Sequence, residues 1–183
     1  MTERRLSFIA GGGAADYDLM LGARAGKERR AEGERAVRAE AKPQTIVLVA
    51  CAKKKRKAEA AAEDLYTSAL FRKARQYAER RAARWFILSA LHGLVEPKVV
   101  LKPYNVTLRS YRKKEREEWA QAKVLPALLS QAPEGSRIVI LAGRIYFEHL
   151  EPELVRRGYR VEIPMRGMDI YEMLRFLKSK NGQ

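Results

Sequence analysis

One cysteine, Cys51, and two histidines, His92 and His149, are all the thiol and imidazole that 183 residues supply. A single cysteine allows no intrachain disulfide framework, so a reducing cytoplasm is the expected home. The same three side chains are too few for a Cys/His structural zinc site. No metal and no organic cofactor is expected. Long apolar runs are also missing. Residues 45–52 form one of the longest, far short of the ~20 residues a membrane helix needs, so no membrane partner is expected. The opening MTERRLSFIAGGGAADYD has no long apolar stretch and carries acids early, unlike a signal peptide. No G-x-x-x-x-G-K-[ST] phosphate loop is present, and Gly11–Gly13 lack the G-x-G-x-x-G frame of a dinucleotide site. Internal repeats and long heptads are absent.

Acids are the next scarcity. There are 22 Asp and Glu against 37 Lys and Arg, a net charge of +15. A solubility charge on a small domain is usually about 2–8 units, so the excess points to an anionic partner, most simply nucleic acid. The charge is unevenly placed. Residues 1–42 hold nine basic and seven acidic residues, and residues 43–183 hold 28 and 15, or +13. The first 42 residues contain Gly11–Gly13 and a Glu/Arg/Ala stretch with few large apolar side chains. They are expected to be a weakly packed or partly helical arm, with Pro43 marking the boundary.

The chain as a whole is 46% hydrophobic, enough to bury a core. From Thr45 onward, short β-branched runs alternate with amphipathic stretches. Strands are predicted at 45–50 (TIVLVA), 84–90, 137–142 and 159–163. Helices are predicted at 69–81, 111–130 (bent or interrupted by Pro126), 145–157 and 170–178. This alternation predicts an α/β fold with a mostly parallel central sheet and helices on both faces. In such sheets ligands bind outside the carboxyl ends of the strands, so the residues that follow each strand are the candidates.

After the first strand comes Cys51-Ala52-Lys53-Lys54-Lys55-Arg56-Lys57. A solvated basic face is the ordinary meaning of such a run. Directly after a buried strand in a basic chain, Lys53, Lys54, Lys55 and Lys57 are candidates for phosphate binding. Cys51 reads as a small packing residue rather than a nucleophile. After the second strand come Ser89 and His92. A turn histidine can be a general acid or a donor to a developing anion, or simply a structural residue. The third and fourth strands are followed by Arg144 and by Arg166 and Asp169. Asp64 lies just before the first long helix, where Ser68 is either an N-cap or a nucleic-acid contact. Tyr104, in the extended segment Lys102–Leu108, could stack on a base or pack its own loop.

The strings V-A-C-A-K-K-K, D-L-Y-T-S-A-L-F, W-F-I-L-S-A-L-H-G-L-V-E-P and P-Y-N-V-T-L, in that order, resemble a family of uncharacterised bacterial and phage domains across residues 45–178. The L-S-A-x-H-G-L…P-Y part is also similar to the YaaA peroxide-stress family, whose members bind DNA. More distantly the set resembles uracil-DNA-glycosylase-like folds. The resemblance implies a base- or DNA-handling α/β domain, with an antiphage DNA N-glycosylase as its leading function. A non-catalytic DNA-binding protein, or a base-exchanging enzyme acting on RNA, is the alternative. An acid that often follows the P-Y pair in that family is replaced here by Asn105. Water activation would then fall to Asp64 or Asp169, or Asn105 would act by positioning. His92 would serve the departing base.

Overall fold

The computed structural model describes residues 42–182. The arm expected over residues 1–42 lies almost wholly outside the described residues. The described part opens with β1 (Thr45–Ala50), β2 (Ala60–Ala61), α1 (Ala62–Leu65), α2 (Ala69–Arg81), β3 (Arg84–Ser89), β4 (Gly93–Val95) and β5 (Val100–Leu101). A 3₁₀ turn (Leu108–Ser110) leads to α3 (Lys113–Glu118), a π-helical turn (Trp119–Val124) and α4 (Leu125–Gln131). Then come β6 (Arg137–Leu141), α5 (Arg144–Phe147), α6 (Glu151–Arg156), β7 (Arg160–Glu162) and α7 (Ile170–Lys180).

The main sheet runs β4-β3-β1-β6-β7. β1 pairs in parallel with β3 and β6, β7 is parallel to β6, and only β4 is antiparallel. The fold is therefore α/β with a mostly parallel sheet. Alternation along β1 explains its central place. Ile46 and Leu48 face a layer that contains Trp119, Val124, Leu125, Leu128, Phe147 and Leu154. Val47 and Val49 face another, with Leu65, Phe71, Ala74, Ala78 and Leu177. All four β1 side chains are at most 1% exposed, each contributing about 1.5–3 kcal/mol of burial. Helices thus cover both faces. The chain order reverses between β1 and β6, so the crevice at their carboxyl ends is the switch point of a doubly wound sheet.

Two predicted helices are divided. The one over 111–130 breaks at the π turn because Pro126 has no N–H for the Ala122 carbonyl and its ring clashes there. The Leu125 N–H reaches the Ala120 carbonyl instead, five residues back. The helix over 145–157 splits into α5 and α6, with Pro152 in the first turn of α6, where proline is tolerated. β2, β4 and β5 were not predicted, since two or three residues carry no readable period. Gly93 opens β4 at φ +76°, and a Cβ there would lie 2.2 Å from the Lys123 carbonyl oxygen. Glycine alone lets β4 rest on the π turn.

Candidate functional site

β3 ends at Ser89, and the chain turns through Ala90–His92 into β4. The Ser89 side chain is fully buried. Its Oγ accepts the His92 backbone N–H at 3.0 Å and lies 2.7 Å from the Tyr104 hydroxyl. The Tyr104 hydroxyl is also 2.7 Å from that of Tyr66. Three hydroxyls thus form one chain, Tyr66–Tyr104–Ser89. Three protons serve two short links, with a weaker Tyr66–Ser89 interaction beside them, so the short links leave one proton over. Ser89 and Tyr66 are buried and Tyr104 is half-exposed. When both buried hydroxyls donate to the Tyr104 oxygen, the spare O–H sits on the one member that can meet a ligand. Burial raises the Tyr66 phenol to about 12 and pushes Tyr104 well above the ordinary phenol range, so both keep their protons at neutral pH.

Two further side chains lie against Tyr104. The His92 ring meets it at right angles, with centroids 5.2 Å apart. Burial first, and the charge of Lys123 second, hold the His92 imidazole below its ordinary value, which favours the neutral ring near pH 7. Lys55 Nζ lies 4.2 Å from the Tyr104 centroid and 5.5 Å from that of Tyr66. It also donates to the Ala52 carbonyl at 3.1 Å and approaches that of Lys53 at 3.4 Å. Lys55 therefore turns inward, while Lys53, Lys54 and Lys57 are exposed. A backbone bridge between Lys55 and Tyr66, with the Thr67 N–H donating to the Lys54 carbonyl, pins the basic loop to the start of α2.

The π turn closes the site from below. Trp119 Nε1 donates to the Ser89 carbonyl at 3.0 Å, and Lys123 Nζ to the Leu91 carbonyl at 3.0 Å. Tyr146 meets Trp119 edge-on, and its hydroxyl lies 3.3 Å from Cys51 Sγ. Cys51 is thus a packed strand-end residue. His92 also lines a cleft of about 350 Å³ with Phe86, Leu94, Val95, Glu96, Val99 and Leu101 among its walls. That volume is at the lower end of the ~300–1,000 Å³ usual for ligand pockets.

The structure therefore gathers Lys55, Ser89, His92 and Tyr104 from the residues singled out in the sequence, with Asn105 exposed directly after Tyr104. Tyr66, Trp119, Lys123 and Tyr146 join them unforeseen. Tyr66 lay inside the D-L-Y-T-S string, whereas Trp119 and Tyr146 fell within the predicted helices over 111–130 and 145–157 with nothing to mark them. The two acids do not join. Asp64 is bound by Arg75 at 2.7 Å, which holds its carboxyl below the usual range, and belongs to a network of Arg75 with Glu63 and Glu79. Asp169 caps α7, accepting the N–H groups of Tyr171 and Glu172. Ser68 caps α2 through the Phe71 N–H. Arg144 is 84% exposed and 3.5 Å from Glu148, and Arg166 pairs with Glu151. Among the described residues, no group of three or more His, Cys, Asp or Glu side chains could hold a metal, and no helix is long and apolar enough to cross a membrane.

Fold and site together define a doubly wound α/β protein with a hydroxyl, imidazole and ammonium cluster beside its switch point. The chain belongs to a family of unknown function (DUF6884), whose model matches residues 46–179. No curated protein and no solved structure matches it.

Proposed function

We propose that this protein is a DNA N-glycosylase of uracil-DNA-glycosylase-like type that excises a modified base. The observation that carries the reading is the Tyr66–Tyr104–Ser89 chain set against His92 at the strand ends of a strongly basic chain. Breaking an N-glycosidic bond leaves negative charge on the departing base. The spare Tyr104 O–H and the neutral His92 ring are preorganised donors for that charge. The bond is inaccessible in a stacked duplex, so the nucleotide must be turned out. The cleft lined by His92, largely apolar but with Glu96 and Gln131 in its walls, offers an extruded base a place. Exposed Lys53, Lys54, Lys57 and Arg144 supply phosphate contacts, and Asn105 orients the attacking water. Lys55 already covers one face of Tyr104, which favours a donor role for that residue over stacking. The reading also supports a place in defence against phages with modified DNA.

The test is incubation with duplexes carrying assorted modified bases, followed by alkali. Strand breaks at abasic sites indicate base release, and His92→Ala or Tyr104→Phe should each slow it by about 100–1,000-fold. A second reading, DNA binding without catalysis as the YaaA likeness suggests, draws on one observation: both candidate acids are engaged elsewhere. Tight binding with no base released from any substrate would establish it.

A further inference from the structure

Lys55 stands apart from its neighbours in the basic run. Lys53, Lys54 and Lys57 are exposed, whereas the Lys55 ammonium is folded back over the rings of Tyr104 and Tyr66 and tethered to the Ala52 carbonyl. A lysine that contacts phosphate has no need of that placement. The placement sets its amine beside Tyr104, the residue that the glycosylase reading puts at the reacting nucleotide. We propose that Lys55 is a nucleophile toward an abasic deoxyribose, giving the protein a lyase activity that cuts the strand after the base has gone. The inference rests on the glycosylase reading for the origin of the abasic site.

Burial lowers the Lys55 ammonium below the ordinary lysine value, with Cys51 acting in the opposite direction. A partly desolvated lysine loses its proton more readily, which is how amines become nucleophilic toward carbonyls. The free amine lone pair attacks the C1′ aldehyde of the ring-opened sugar, and loss of water gives an imine. A base then takes the C2′ proton, and that electron pair expels the 3′-phosphate. Water adds to the imine and returns the amine. The neutral imidazole of His92, packed against the same tyrosine as Lys55, is the group assigned to accept the C2′ proton.

The experiment uses the full chain, a duplex with one preformed abasic site, and sodium borohydride, which reduces the imine to a stable amine. A duplex with a tetrahydrofuran site, which has no aldehyde, is the control. The expected result is a covalent protein–DNA adduct on the abasic duplex alone, mapping by mass spectrometry to the peptide that contains Lys55. Lys55→Arg should reduce its yield at least 10-fold. An adduct that maps to another amine, or none above the level given by heat-denatured protein, overturns the proposal. Peptide mapping on the unaltered protein decides the question even if Lys55→Arg folds poorly. Base release is scored separately on modified-base duplexes. An adduct at Lys55 without base release supports the lyase and refutes the glycosylase; base release without an adduct does the reverse.

Discussion

Removing the Tyr104 hydroxyl tests the hydroxyl chain more directly than any kinetic measurement. Tyr104→Phe keeps the ring, and with it the contacts to His92 and Lys55, but deletes both 2.7 Å links. The two partners suffer unequally. Ser89 Oγ retains the His92 N–H. The Tyr66 hydroxyl, on a side chain 2% exposed, loses its 2.7 Å partner and keeps only a weaker interaction with Ser89. Leaving a buried hydroxyl without a short partner costs about 1–3 kcal/mol, so Tyr104→Phe should destabilise by about 2.5 kcal/mol. Tyr66→Phe leaves Tyr104 bonded to Ser89 and within reach of water, for about 1 kcal/mol.

The double variant has no orphaned phenol. Only the Ser89 hydroxyl loses a link, so its cost should be about 1.5 kcal/mol, against about 3.5 for independent singles. The coupling of about 2 kcal/mol is the quantity to measure. Urea unfolding of the full chain suffices, since a loss of 2 kcal/mol moves the midpoint by about 1 M at the usual slopes. Additivity within about 0.5 kcal/mol would show that the two phenols do not share a proton chain. The reasoning about a spare Tyr104 O–H would then fail with it.

Other expectations follow from individual contacts. Lys53→Ala and Lys54→Ala should each reduce the slope of log affinity against log salt by about 0.9 on duplex DNA, while Lys55→Ala, turned inward, should leave that slope unchanged. Gly93→Ala forces a side chain into a left-handed backbone and against the Lys123 carbonyl, and should cost about 2–5 kcal/mol by thermal or urea unfolding. Asp64→Asn should leave base release unchanged in single-turnover assays, because its carboxylate belongs to Arg75; a rate loss above about 10-fold would return it to the mechanism. The fold lowers the His92 value, so the stability it contributes is present above the unfolded value of about 6.5 and is lost as pH falls through the lower folded one. Urea midpoints between about pH 5 and 7 should therefore fall less steeply in His92→Gln than in the unaltered protein.

The sheet and its two layers were legible because buried parallel strands leave a strong pattern. TIVLVA at β1 and RIVIL at β6 are covered on both faces and show it as unbroken apolar runs. The 3.6-residue stripe placed α2 at the residues it occupies. The rule that sites gather at strand ends pointed to Ser89 and His92, and the fold sets both against Tyr104. The π turn was beyond this method. Pro126 announced an interruption, but whether the chain kinks, stops or widens depends on which carbonyl can be reached. That choice brings Trp119 and Lys123 beneath β4. Their stripe positions look the same in a straight helix, so both read as ordinary helix residues.

The acids show the same limit from the other side. For Asp169 a signal was present: Asp-Ile-Tyr-Glu before an apolar run is the signature of a capping box, and the reciprocal bonds of Asp169 and Glu172 are found. For Asp64 there was none. Its partner Arg75 is eleven residues away on another helix, and only the angle between α1 and α2 brings them to 2.7 Å. A carboxylate near a basic crevice is short of cations to bind only if none of the surrounding arginines reaches it. In a chain with fifteen more bases than acids, most acids will find one. The charge excess therefore argues against an unclaimed acid near the Tyr104 cluster. It favours chemistry carried by groups that a cation cannot neutralise: hydroxyls, a neutral imidazole and an amine, the set found around Tyr104.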